Sequence, residues 1–435
     1  MIYRNREIGG DVPRLQPSTN RTEPRPSRRR SMALVLEGAT VVDGNGSDPR
    51  DKARITITGD RIEAVGGRAR APAGQRLDLT GLTVLPGLID LHTHLGVVEW
   101  EGNPALSPAM TAALLFDNCR RCLWSGHTTV RDVGGADGAL PAVIEAGLVA
   151  GPRVLPSGPL LSQTGGHGDM TPPFTQRPAA GITGLSRPTL TCDGPEGVRL
   201  AARQAFRAGA TQLKVCASGG VLSHGDNVTD CQFTVEELRA AVEEAAARGT
   251  YVTAHAHHPQ AIRNGLDAGI ACFEHGTLLD DQTARAMAQA GAALVPTLTI
   301  VHLLGQRWQE WGLPEEFLPR AAGLEDAMFH SIELAMAAGV TIGSGTDLRG
   351  PRQDGRGLEL SLKAKVMGPM GAIVSATSAS AKILRRADLG VIAPGKLADL
   401  IAVDGDPLAD PEIWSDPDRI VLVVKDGVVE KDTRT

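Results

Sequence analysis

His92 and His94, in Gly87-Leu-Ile-Asp-Leu-His-Thr-His94, lie two residues apart, so on an extended segment both imidazoles point the same way. That spacing lets two imidazoles grip one divalent cation. Asp90 is expected on the same face, orienting a ligand rather than binding metal. Further along come His255, ending Val252-Thr-Ala-His255, His275, ending Phe273-Glu-His275, and Asp347, ending Gly343-Ser-Gly-Thr-Asp347. The two histidines would complete the ligands of a second cation. A carboxylate at Asp347 can bind metal and shuttle the proton of a bound water, and the small residues before it allow close backbone approach to a ligand. His257 and His258 read as pocket wall or surface. Lys214, in Gln212-Leu-Lys-Val215, is the diagnostic member. Buried without a partner, its amine would be driven neutral, and a neutral amine can take up CO2 to give a carbamate that bridges two metals. A snorkelling or ion-paired lysine is the alternative.

Residues from five separate segments meet only if the fold brings strand ends together. Each of the six ends or lies near the end of a short apolar run, and between residues 87 and 386 such runs alternate with helical patterns. The runs are 85–94, 128–133, 153–155, 212–216, 250–254, 270–274, 292–296 and 340–343. The helical pattern from Thr234 to Ala247 opens with a Thr cap and a Glu three residues on. Eight strands alternating with helices predict an α/β fold, a (β/α)8 TIM-like barrel whose chemistry sits at the C-terminal strand ends. Residues 32–86 and 387–435 share a different texture, short β-branched runs broken by Gly, Asp and Pro. They predict a small β-sandwich domain formed from both termini, with the barrel of 87–386 inserted.

Hydrophobic residues make up 42% of the 435 and aromatics 3%, which suits a globular core of Ala, Val, Leu and Ile. No apolar run approaches the roughly 20 residues that span a bilayer, so no membrane association is expected. The cysteines (Cys119, Cys122, Cys192, Cys216, Cys231, Cys272) show no disulfide spacing, and Cys119-Arg-Arg-Cys122 falls in a helical pattern. A cytoplasmic location follows. Residues 1–31 hold eight Arg against Glu7, Asp11 and Glu23, so this basic arm carries +5 and the remainder −11 of the net −6. The acidic body argues against nucleic acid as a partner. The arm has no apolar periodicity and is expected to be disordered. Arg28-Arg-Arg30 is not followed by a signal core, and Met32 is a candidate native start.

With these residues in view, the chain resembles the amidohydrolase superfamily, binuclear carboxylated-lysine subtype. It is similar to the imidazolonepropionase-like branch with Xaa-Pro dipeptidases and ochratoxin-hydrolysing amidohydrolases. The resemblance runs over 33–432 and includes Pro86 to His94, Gln212 to Gly220, Phe273-Glu-His-Gly276 and Leu389-Gly-Val-Ile-Ala-Pro-Gly-Lys-Leu-Ala-Asp-Leu400. It implies that His92, His94 and Asp347 hold one metal, His255 and His275 the other, and carboxylated Lys214 bridges two divalent ions, zinc the expected metal. A metal-bridging hydroxide would then attack an amide carbonyl, with Asp347 passing the proton to the leaving nitrogen. The resemblance also implies that His167, in Gln163-Thr-Gly-Gly-His167, contacts the substrate near the reacting carbonyl, and that the chain assembles as a homo-oligomer. Ser218-Gly-Gly-Val221 would shape the pocket. One of Arg349, Arg352 and Arg356 could hold a substrate carboxylate bidentately, or the three could form a solvated rim. The tyrosines, Tyr3 and Tyr251, are poorly placed for the aromatic hydroxyl that dipeptidase-like relatives use, which opens other amides, carbamates and ureas.

The expected activity is thus cleavage of an amide C–N bond in a small N-acyl amino acid, dipeptide or related compound. A mononuclear imidazolonepropionase-like cyclic-amide hydrolase or deaminase is the alternative, against which Lys214 counts. A non-catalytic scaffold would have lost ligands, whereas all six are present.

Overall fold

The computed structural model describes residues 33–66, 74–99, 106–169, 171, 188–223, 225–313 and 315–434. The basic arm, Arg28–Arg30, Met32 and Tyr3 lie outside them. Strands β1 (Ala33–Val41), β2 (Arg50–Thr58), β3 (Arg61–Val65), β4 (Gly74–Asp78) and β5 (Leu82–Pro86) open the described chain. The barrel strands are β6 (Leu88–Thr93), β7 (His127–Asp132), β8 (Arg153–Pro156), β9 (Leu160–Ser162), β10 (Thr189–Thr191), β11 (Leu213–Cys216), β12 (Val252–Ala256), β13 (Cys272–His275), β14 (Ala293–Val295) and β15 (Thr341–Ile342). The chain ends with β16 (Leu400–Asp404), β17 (Ile420–Lys425) and β18 (Val428–Asp432).

Both ends of the chain share one β-rich unit. Antiparallel β5 and β16 pair from Leu400 against Pro86 to Asp404 against Leu82, which stitches the last strands to the first. Hydrogen bonds connect all eight strands into one sheet that branches at β1: its first half pairs with β4 and its second with β5. One face gathers Leu36, Val41, Ile55, Ile57, Leu77, Leu400, Leu422 and Val424 into a shared core. The opposite face, including Leu85, Ile401 and Val423, packs on Leu88, Leu123, Leu360 and Ile373 of the barrel. The sandwich arises from one branched sheet, of which β4 and β18 are the more polar strands.

The barrel is a closed (β/α)8 ring of parallel strands, with β8 and β9 the two halves of strand three and β10 added alongside β9. Strand three is broken at Pro156-Ser-Gly158, so β8 pairs with β7 while β9 pairs with β11. The ring closes between first and eighth strands, where the Leu91 amide donates to Ser344 O at 2.7 Å and the Asp347 amide to His92 O at 2.7 Å. Alternation sorts the side chains: Leu213, Val215, Val252, Ala254 and Phe273 join the core beneath the outer helices. Lys214, Thr253, His255 and Glu274 take the other parity and face inward. The helix Val235–Ala246 opens with the expected capping box between Thr234 and Glu237. Cys119 and Cys122 are buried on the helix Pro108–Trp124. Among the described residues no helix is long and apolar enough to cross a membrane.

A bulge corrects the expected placement of Asp90. Asp90 pairs with Val130 but Thr93 with Asp132, so β6 carries one residue more than β7 over that stretch. Leu91 and His92 therefore both turn inward, while Asp90 and Thr93 turn out and are held by Arg356. Asp90 also accepts from the amides of His92 and Thr346. It fastens strand one to strand eight and does not face the site with His92.

Gly345 has a related task. A Cβ there would stand 2.6 Å from His92 Cβ and 2.6 Å from Val295 Cγ1. Gly345 thus makes room for side chains of strands one and seven. Gly345→Ala is expected to lower stability by about 1–3 kcal/mol through overpacking, measured by urea unfolding. An unchanged midpoint would contradict this packing.

Candidate metal centre

Five strand ends deliver the cluster. From β6, His92 Nε2 and His94 Nε2 lie 3.4 and 3.2 Å from the same atom, Asp347 Oδ1. The rings of His92 and His275 are 4.9 Å apart, and those of His255 and His275 4.6 Å. Ligand atoms of His92, His275 and Asp347 lie within 4.8 Å of one another, as do those of His255, His257 and His275. These side chains, Lys214 and His167 line one cavity. The six sequence-predicted ligands are thus brought together.

Strand geometry alone does not deliver two of them. His275 has the parity of Phe273, whose ring packs outward under the helices, so a regular strand would point His275 away from the cavity. Its backbone is left-handed, φ 67°, which swings the imidazole back in. Asp347 is left-handed too, φ 54°. Such conformations cost a non-glycine residue about 1–3 kcal/mol and persist where the surrounding structure dictates them.

Each imidazole is held by its second nitrogen or by a neighbour's ring. His94 Nδ1 meets Gly134 O at 2.8 Å, His275 Nδ1 meets Thr297 Oγ1 at 2.7 Å, and His257 Nδ1 meets Thr277 Oγ1 at 2.8 Å. His255 Nε2 lies 3.1 Å from Gly219 O and its ring stacks on that of His167 at 4.1 Å. For His92 the partner is Glu274, Oε2 to Nδ1 at 2.8 Å, and the other oxygen of Glu274 accepts from Arg131 Nη2 at 2.6 Å. Arg131 is fully buried and also donates to Leu91 O and to Tyr251 Oη. Burial raises the Glu274 carboxyl, but Arg131 and then Lys214 and His92 outweigh it, bringing it down to about 2. Glu274 and Arg131 were missed in the sequence; their signal was a charged residue at inward parity on each of two barrel strands.

The electrostatics favour a cation. Burial pushes the imidazoles of His255 and His275 well below their usual range, and the neighbouring histidines add to it. Each is therefore neutral and has a lone pair to offer a cation. Asp347 is pushed up by burial, yet the bonds to His92 and His94 hold its carboxyl well below the usual range. Lys214 is 2% exposed, and its Nζ is buried without a hydrogen-bond partner. Burial lowers its pKa against the opposing pull of Glu274. An orphaned amine among neutral imidazoles and a carboxylate fits the donor set for divalent metal and a lysine carbamate.

Other sequence-predicted residues separate. Of the two readings of His257, pocket wall is the one the structure bears out, because it continues the inward parity of His255 and lines the cavity. His258 is 8% exposed and sits at the N-cap of the helix Pro259–Ala268. Arg349 lines the cavity. Arg352 is exposed and is not among the lining residues, so of the two Arg349 is the one placed to meet a bound carboxylate. Arg356 is 1% exposed and committed to Asp90, Thr93 and Gln353. Tyr251 lies before β12, at the far end of the barrel from the cluster. Leu160, Val221, Leu222, Ile300, Val301 and Leu304 form the apolar wall.

Glu274→Gln is expected to weaken metal retention roughly 10- to 100-fold by loosening His92. It also leaves Arg131 without its counter-charge, at about 3–5 kcal/mol of stability. Competition with a chelator and urea unfolding measure the two effects; wild-type metal retention would contradict the role given to Glu274.

The profile of the amidohydrolase family matches residues 83–429. Ochratoxinase of Aspergillus niger is 32% identical over 418 residues, covering 91% of this chain and 86% of that protein. A solved prolidase complexed with N-methylphosphonate-L-proline is 37% identical, with a TM-score of 0.86 over 92% of this chain and 100% of that one. A solved Xaa-Pro dipeptidase with bound methionine in its active site is 31% identical, with a TM-score of 0.82 over 91% of this chain and 99% of that one.

Proposed function

The chain belongs to the amidohydrolase family and is a hydrolase of carbon–nitrogen bonds, and we propose that it cleaves the amide bond of a small N-acyl amino acid or peptide-like substrate at a binuclear site. The observation that carries this reading is Lys214: a buried, unpartnered amine within a ring of five other proposed ligands has no structural task of its own. His92, His94 and Asp347 would hold one divalent ion, His255 and His275 the second, with Lys214 as a carbamate between them. Zinc in both positions belongs to the proposal. When bound, two such ions polarise a carbonyl and lower the pKa of water toward neutrality.

The protein's own groups do the rest. Asp347 Oδ1 faces His92 and His94, which leaves Oδ2 to take a proton and return it to the leaving nitrogen. Arg349, two residues further on, offers a guanidinium to a substrate carboxylate. The wall of Val221, Leu222, Ile300 and Leu304 receives an apolar substituent and keeps water from the reacting centre. His257 adds a neutral imidazole beside the second position. The similarity to ochratoxinase, a prolidase and a Xaa-Pro dipeptidase supports an amide with a carboxylate on its leaving part.

Metal analysis of protein prepared without chelators and with bicarbonate, followed by a screen of N-acyl amino acids and Xaa-Pro dipeptides, tests the reading. About two divalent ions per chain are expected, falling to one or fewer in Lys214→Ala together with a loss of at least ~10³ in kcat/KM, the scale of removing a principal transition-state stabiliser. One ion in the wild type, or full activity in Lys214→Ala, would move the reading to the mononuclear cyclic-amide hydrolase or deaminase. Arg349→Ala should raise KM for carboxylate-bearing substrates about tenfold or more, the range of a lost charge-assisted bond, without altering hydrolysis of uncharged amides.

A further inference from the structure

His167 is enclosed by a ring of hydrogen bonds that returns to its own backbone. Its amide donates to Gln232 Oε1 at 2.9 Å. An amide N–H can only donate, so that atom of Gln232 is the carbonyl oxygen and the other is the NH2 group. Gln232 Nε2 then donates to Asp226 Oδ2 at 2.8 Å. The second oxygen of the Asp226 carboxylate, Oδ1, accepts from Ser223 Oγ. A serine hydroxyl has one proton, and this one is spent on Asp226. The remaining contact of Ser223 Oγ, 2.9 Å to His167 Nδ1, must therefore run the other way, with Nδ1–H donating.

Every direction in the ring follows from the one before, and no free choice remains. The ring is anchored as well. Asp226 is 3% and Ser223 7% exposed, and Arg320 clasps the loop that carries them through Ser223 O and Asp226 O. The imidazole lies flat against Gly220, where a Cβ would stand 2.2 Å from His167 Cε1, and stacks on His255. The ring plane is thus fixed by packing and its proton by the chain of bonds.

We propose that Ser223 and Asp226 are positioning residues that hold His167 as the Nδ1–H tautomer, so that its Nε2 meets the substrate as a hydrogen-bond acceptor. A neutral imidazole has one proton to place, and Nδ1 takes it. A contact of His167 near the reacting carbonyl is then made as an acceptor and not as a donor. The substrate group that meets it brings the proton: an amide N–H, a hydroxyl or an ammonium. Amides with such a donor beside the scissile bond are favoured over alkylated counterparts. That consequence for substrate choice rests on the proposed amide hydrolysis; the tautomer does not.

Asp226→Asn supplies the test, because it changes one atom and reverses the chain. With Gln232 still donating to the side-chain oxygen, the new NH2 group faces Ser223 and donates to it. The serine proton is released toward His167 Nδ1, and the imidazole must become Nε2–H. Long-range proton–nitrogen correlation spectra of the zinc-loaded, 15N-histidine-labelled protein read this directly, with His167 assigned by its loss in His167→Gln. The wild type should show a protonated Nδ1 and a bare Nε2, and Asp226→Asn the opposite. Ser223→Ala should give a mixture of the two forms, which keeps the test open if Asp226→Asn does not fold. A protonated Nε2 in the wild type would overturn the proposal, and so would an unaltered Nδ1–H form in either variant.

Discussion

The structure is organised around one amine that has nothing to bond to. Lys214 sits at inward parity on β11, and burial there strips its ammonium of water without supplying an acceptor. Its nearest carboxylates are committed elsewhere, Glu274 to Arg131 and His92, Asp347 to His92 and His94. A charged form is costly under these conditions, and a neutral amine is a nucleophile toward CO2. Burial likewise holds the imidazoles of His255, His257 and His275 below their usual range. The interior is thus a concentration of electron pairs, which a cation would relieve.

Holding such a site together falls to the layer beneath. Arg131 and Glu274 form a fully buried pair across the barrel, and Glu274 extends it to His92. Arg131 ties the same unit to the Leu91 carbonyl and to Tyr251. The pair needs those bonds, since a buried ion pair does not offset its desolvation by Coulomb attraction alone. On the outer side of β6, Asp90 and Arg356 close the ring between strands one and eight. His92 is therefore fixed from both sides of its strand, by a bulge that puts it inward and by a carboxylate that sets its tilt.

Much of this was legible in the sequence, for definite reasons. His92, His94, Lys214, His255, His275 and Asp347 end apolar runs, and chemistry at the C-terminal rim of a barrel needs groups there. What escaped was what breaks the regular period. The bulge in β6 has no signature in Leu88-Ile-Asp-Leu-His, so Asp90 was placed on the wrong face. The left-handed backbone at His275 is equally silent. His257, read as pocket wall or surface, continues the inward parity of His255 and lines the cavity, while Arg352 stands exposed. The ring of Gln232, Asp226 and Ser223 joins residues 65 positions from His167 at most, through a loop with no periodicity to read. Charged residues at inward strand positions, Arg131 and Glu274, were the unused clue.

The central claim is that Lys214 is carried as a carbamate between two metals. Carbon-13 NMR of protein reconstituted with zinc and 13C-bicarbonate tests it most directly. A single carbamate carbonyl resonance that persists after removal of free bicarbonate, and that is missing in Lys214→Ala, is the predicted result. A spectrum without that resonance in fully metal-loaded wild type would contradict it.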